Sequence, residues 1–256
     1  MPNRTALFLS LCFLTSSLAA ASAPAPAVKK IRWTPFMLSV YPDRFMFPRA
    51  RAVYGLEVSI GKAGARKVRG LQLAAAWAEA RDVGGFQIGA FRAQSGKLDG
   101  LQLAVFPLAL GKLRGVQIGL INNLKFEDEK EPMEVSGLQI GAINSAKRLD
   151  GYQFGILNNA TRVRGGQFGI LNYALNTRAL HVGVLNLVGI DSDNTRVAKG
   201  LHIGIVNLTT QEFQGVQIGL FNSVQRLRGV QLGLINYVHR PRQPRLLLVP
   251  LINVGW

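Results

Sequence analysis

Two histidines, His181 and His202, come nearest in this chain to a spacing that could do metal chemistry. Each stands where neighbouring copies of a short repeated phrase carry Gln. If the copies stack, the two rings lie one above the other, within reach of a single ion. Zinc takes four ligands, and the flanking copies offer only the amides Gln167 and Gln217 at that position. The pair therefore reads as two rings standing in for amides in a hydrogen-bonded column, with no metal or other cofactor expected. His239 follows the last regular copy and has no partner legible in the sequence.

The second chemical feature is cationic. Arg69, Arg114, Arg164, Lys199 and Arg228 each directly precede the first glycine of a copy. Stacking would align them into an edge able to grip phosphates or other polyanions. The same charges would also keep a sheet edge soluble and discourage aggregation. The acids are placed differently. Glu127, Asp128, Glu129, Glu131 and Glu134 share one connection after Asn122, while Asp99 and Asp150 occur singly before a glycine. A polysaccharide lyase or hydrolase built on a β-helix would need acids grouped along a groove. There is no nucleophile–His–acid set, and an isolated G-x-G among glycine-rich repeats carries no weight as a phosphate loop. The sequence points away from an enzyme.

These residues are positioned by a repeat. The clearest copies read GVQIGLIN (115–122), GLQIGAIN (137–144), GYQFGILN (151–158) and GVQLGLIN (229–236). Thirteen units begin at Gly55, Gly70, Gly85, Gly100, Gly115, Gly137, Gly151, Gly165, Ala179, Gly200, Gly215, Gly229 and Leu246, and most are 14 or 15 residues apart. A fixed short period means one structural unit used many times. Within 115–122, Val116, Ile118 and Leu120 alternate with Gly115, Gln117 and Gly119, which is the period-2 pattern of a strand with one apolar face. Two glycines at fixed places predict a close backbone approach. Between phrases, a small or apolar residue falls two after the Asn (Ala146, Ala160, Ala174, Val224, Val238). Another falls two before the next glycine (Val68, Leu98, Leu113, Leu149, Phe213, Leu227). Both sets read as inward anchors.

Two architectures satisfy this pattern. One is an all-β parallel solenoid of 14–15-residue coils. Identical amides would stack in ladders there: Gln117, Gln139, Gln153, Gln167, Gln217 and Gln231 in one, and Asn122, Asn144, Asn158, Asn172, Asn186, Asn207, Asn222 and Asn236 in the other. Its mode of action would be presentation of a repeating polar face and a basic edge. The other is an antiparallel meander, closing into an outer-membrane β-barrel, pore or scaffold. Uniform turns, an eight-residue phrase shorter than the ~9–11 residues of a membrane strand, no aromatic girdle (5 Tyr and 3 Trp) and an odd number of units favour the solenoid. Trp256, a final aromatic after an apolar run, resembles a barrel insertion signal, or serves as a plug on the last coil. The first four units carry Lys62, Trp77, Arg92 and Pro107 in the Asn place. They are expected to pack differently, leaving an Asn ladder from Asn122 to Asn253.

The chain start reads as an export signal: Arg4, an apolar stretch from Ala6 to Leu14, then small residues with cleavage after Ala21. Cys12 lies within it, so the mature chain holds no disulfide. The net charge of +16 falls to +15 when residues 1–21, which contain Arg4 and no acid, are removed. In an exported protein such a charge implies anionic lipid headgroups, lipopolysaccharide or acidic polysaccharide rather than nucleic acid. The domain reading is 1–21 signal peptide, 22–54 linker and N-terminal cap, and 55–256 repeats. Units 55–114 are degenerate, and 115–256 are regular and end in a cap.

Taken as a set, the G-h-Q-h-G-h-h-N units (h, hydrophobic), the opening PFMLSVYP (35–42) and the closing LVPLINVGW (248–256) resemble a family of bacterial surface repeat-containing proteins of the spirochaete type. The resemblance covers residues 31 to 256. It implies an exported cell-envelope protein of the cell surface, outer membrane or periplasm, and it carries no catalytic residues.

Overall fold

A computed structural model of the chain describes residues 31–41, 45–123, 133–190, 197–239 and 247–256. The export signal with Cys12, the linker before residue 31 and the acids Glu127, Asp128, Glu129 and Glu131 lie outside these residues. In chain order the strands are β1 (Ile31–Tyr41), β2 (Phe45–Phe47), β3 (Ala50–Ser59), β4 (Lys62–Ala63), β5 (Lys67–Ala74), β6 (Trp77–Gly89) and β7 (Arg92–Leu103). Then come β8 (Phe106–Ile118), β9 (Ile121–Asn122), β10 (Glu134–Ile140), β11 (Ile143–Val188), β12 (Val197–Ile218), β13 (Phe221–Val238) and β14 (Leu247–Gly255).

The chain winds into a parallel β-solenoid of about 12 turns, about 15 residues apart. Stacking keeps the sequence in register. Gly55 pairs with Gly70, and the column continues through Gly85, Gly100, Gly115, Gly137 and Gly151. Gly215 likewise pairs with Gly229. The pairing is parallel except at β1–β2 and β13–β14. The sheet has two ends, β14 and β2, and so is not a closed barrel.

The first glycine of each unit makes the corner of the coil. Its φ lies between 122° and 152° wherever it is glycine, a region that L side chains rarely adopt. A Cβ added at Gly137 would lie 2.0 Å from the carbonyl oxygen of Gly115 in the coil before. Where glycine stands the corner is closed to anything larger than hydrogen; the unit at Ala179 places alanine there without a positive φ.

From this corner the pleat assigns the faces. In the coil that starts at Gly137, the buried side chains are Gln139, Asn144, Ala146 and Leu149. The anchors two after Asn and two before Gly are all buried, and they form one continuous apolar core from Met37 to Val238. The expectation of a displayed polar face is corrected here. Gln117, Asn122 and their counterparts are 0% exposed, while the flanking aliphatics point outward. In-register amides can saturate one another inside, and that leaves the outside to the apolar positions.

Three further expectations change. The degenerate units stack in the same register as the rest, and the Asn place there is taken by Ala63, Ala78 and Ala93, one residue later than the sequence alignment puts it. With Ala74 and Ala104 these form a small apolar cluster. The unit at Leu246 is not a further coil: β14 reverses and lies antiparallel on β13. Trp256 is fully exposed and plugs nothing.

The stack predicts a chemical cross-link. Gln217 and Gln231 are register partners, about 4.8 Å apart in a parallel pair, which is within the span of a disulfide. In the chain lacking Cys12, Gln217→Cys with Gln231→Cys should link on mild oxidation, and Gln217→Cys with Leu234→Cys should not. The reverse pattern on a non-reducing gel would refute the parallel stack.

Candidate functional site

Two amide ladders run through the interior in opposite senses. In the Gln column each Nε2 donates toward the N-terminal end. Gln87 donates to Gln72, Gln102 to Gln87, Gln117 to Gln102, Gln139 to Gln117, Gln153 to Gln139 and Gln167 to Gln153, at 2.7–2.8 Å. In the Asn column each Nδ2 donates toward the C-terminal end, from Asn122 through Asn144, Asn158, Asn172, Asn186, Asn207 and Asn222 to Asn236, at 2.6–2.9 Å. The second N–H of a rung reaches a backbone carbonyl, as from Asn158 to Phe168. Asn253 does not extend this column. It donates to Gln231 and so closes the Gln column. Asn122 Oδ1, with Pro107 before it in the column, has no donor among the described residues.

The Gln column begins four units before the regular repeats, on the carboxyl of Glu57. Gln72 donates to Glu57 at 2.7 Å, and Glu57 also accepts from the backbone N–H groups of Gly64 and Ala65. Burial pushes the Glu57 carboxyl up from 4.5, and these hydrogen bonds oppose the shift. Glu57, Gln72, Gln87 and Gln102 were not among the expected ladder residues, although each sits two after its glycine.

His181 and His202 interrupt the column. Their rings meet edge-to-face at 4.8 Å, and His202 packs on Phe213 at 4.6 Å. They do not replace the amides as hydrogen-bonding partners. His181 Nε2 meets Thr177 Oγ1 at 2.7 Å, and Gln217 turns to Thr209 Oγ1. Gln167 Oε1, His181 Nδ1 and both His202 ring nitrogens have no partner among the described residues. No group of three or more metal-ligating His, Cys, Asp or Glu side chains occurs among the described residues. Burial pushes His181 down to about 3. It also pushes His202 well below the ordinary 6.5, and repulsion from His181 adds to that shift. His239, outside the column, meets the Tyr237 hydroxyl at 3.2 Å.

The outer surface carries the second set of features. Ile156, Ile170, Val184, Ile205, Leu220 and Leu234 form one exposed column, each 45–59% accessible. A groove of about 870 Å³ runs along five coils. Phe168, Val182, Ile203, Ile218 and Leu232 line one side and Val184, Ile205 and Leu220 the other, with glycines between them.

The predicted cations Arg69, Arg114, Arg164, Lys199 and Arg228 are all exposed. Their column is not uniform: Gly84, Asp99, Ser136, Asp150 and Gln214 also occupy it. Arg228 is paired with Glu212 at 2.8 Å, and Arg69 lies over Gly84. Arg178, register partner of Lys199, was missed because its unit starts with Ala179 rather than glycine. Arg162, Arg164, Arg178 and Lys199 make no ion pair among the described residues; Arg178 and Lys199 close units that line the groove, and Arg162 and Arg164 close the unit before it. No family model, curated protein or solved structure matches the chain.

The interrupted column generates two pH predictions. His181→Gln with His202→Gln should restore the ladder and stabilise the fold by about 1–3 kcal/mol, the cost of the orphaned groups removed. Both histidines are disfavoured when charged in the folded state, so stability should fall as pH drops from 6.5 toward about 3. The double variant should lose that slope in urea titrations; an unchanged slope and midpoint would contradict the assignment. Glu57 has the opposite sign: with its folded value raised, stability falls as pH rises above 4.5. Glu57→Gln should flatten that limb, and chemical denaturation across the range would reveal it.

Proposed function

We propose that the protein is an exported, non-enzymatic module of the bacterial cell envelope that lies on anionic lipid. The observation that carries this reading is an apolar outer groove with four cations, on its own coils and the coil before it, that lack acidic partners among the described residues. Large contiguous apolar patches are rare on soluble monomers and mark interaction or membrane sites. Arg164, Arg178 and Lys199 precede the groove residues Phe168, Val182 and Ile203 by four residues, across the corner of the coil. Interfacial elements bury their apolar face about 5–10 Å into the headgroup–acyl boundary, so the guanidinium groups would reach phosphates while the aliphatic columns meet acyl chains. The export signal read in residues 1–21 and the resemblance to bacterial surface repeat proteins support a place in the envelope. Lipopolysaccharide offers the same pairing of phosphate and acyl chain.

Vesicle co-sedimentation tests this. The chain without residues 1–21 should bind vesicles containing anionic lipid and leave neutral ones, with binding that weakens as salt screens the charges. Arg164→Gln, Arg178→Gln and Lys199→Gln should each cost about 1 kcal/mol of binding. Ile205→Asn should weaken binding at every salt concentration. Equal binding to neutral and anionic vesicles, or capture by acidic polysaccharide but not by vesicles, would dismiss the lipid reading.

A further inference from the structure

The two ends of the stack are built differently. At the N-terminal end β1 carries Arg32 and Pro35, and its register with β3 shifts between Thr34 and Phe36. Its far end is covered by β2, only three residues long and itself irregular in register. Short strands, bulges, proline and charge are the devices that stop a sheet edge from recruiting another strand.

The C-terminal end has fewer of them: β14 carries Pro250, a register slip and a positive φ at Leu251, but it has no charge and no short strand covers it among the described residues. β14 is nine residues, LLVPLINVG, with no charged side chain. One edge pairs with β13, and no strand pairs with the other among the described residues. Pro250 falls where the register slips, so residues 251–255 run opposite β13 without a break. Leu251, Ile252 and Val254 on this run are 66%, 60% and 51% exposed.

We propose that the free edge of β14 is a two-fold interface that joins two copies of this chain end to end. An antiparallel strand is self-complementary: about a two-fold axis residue i meets j and j meets i. The junction places no charge against charge, although each chain without residues 1–21 carries +15, the +16 of the full sequence less Arg4. The amide column also favours a second copy. Asn253, 6% exposed, spends a hydrogen on Gln231 Oε1. A side-chain amide has two N–H donors and an accepting oxygen, and an identical Asn253 across the axis presents the matching set. The blunted N-terminal end stops growth at two, where an end-to-tail contact would propagate into filaments. The pairing uses the backbone edge of β14; because Ile252 is the register partner of the groove residue Leu232, a variant away from that strand, Ile205→Asn, is what separates it from lipid binding.

Light scattering coupled to size exclusion, on the chain without residues 1–21 in a mild detergent that masks the outer columns, reads this directly. The wild type should show the mass of two chains, and Ile252→Lys and Val254→Lys should each halve it with unchanged circular dichroism. Ile205→Asn should keep the two-chain mass while losing vesicle binding, which separates the two readings. Amide exchange on the wild type needs no substitution: protection of residues 251–255 should fall on dilution while that of β13 persists. A one-chain mass at micromolar concentration, a two-chain mass surviving both lysines, or concentration-independent exchange would overturn the interface.

Discussion

The amide ladder is the interaction on which the rest of this structure depends. A buried Gln or Asn costs free energy unless its donors and acceptor are all met. Here each amide meets its own copy one coil away, which is possible only when coils stack in register. Chains of such bonds polarise one another, and the two columns point in opposite directions, so their dipoles oppose. Glu57 gives the Gln column its sense as far as Gln167, because a carboxyl oxygen accepts and each amide up to the histidines presents N–H toward it. The Asn column takes the other sense and spends its second donor on backbone carbonyls, which ties side chain to coil.

A polar interior then dictates the exterior. Strand residues alternate between faces, so amides inside leave the flanking aliphatics outside. The result inverts the usual arrangement over the phrase segments, while the connecting segments keep the ordinary one, with Leu149 or Phe213 inside and charge outside. The molecule is amphipathic around its own axis. Its apolar side comes from the phrase and its cationic side from the connection, which is why groove and cations fall on the same or adjacent coils.

Where the ladder fails, the structure shows what it was supplying. In the degenerate units alanine replaces asparagine, and the space closes as an apolar cluster, so no amide is stranded there. At His181 and His202 the ring cannot reproduce the amide's simultaneous donation and acceptance along the axis. Gln167 loses its donor and Gln217 turns to a threonine. Alanine removes both partners of a rung, whereas histidine removes one and strands the other, and the second change is the costlier.

The sequence by itself determined the strand phrase, the 14–15-residue period, the inward anchors and the ladder residues from Gln117 and Asn122 onward, because period-2 alternation and exact repetition are local properties. It also exposed Glu57, Gln72 and Gln87, two after their glycines, though they are read as ladder members only once the early units are known to stack. Three matters lay beyond it. Period 2 separates two faces without saying which is inside, so the exterior position of Ile156 or Ile205 followed only from the closed coil. The extra residue in the early units hid Ala63, Ala78 and Ala93 in the Asn column, because register is set by hydrogen bonding across coils and not by counting. The direction of β14, and with it the transfer of Asn253 to the Gln column, was decided by tertiary structure alone, since the same residues pair equally well in either sense until a neighbour fixes one.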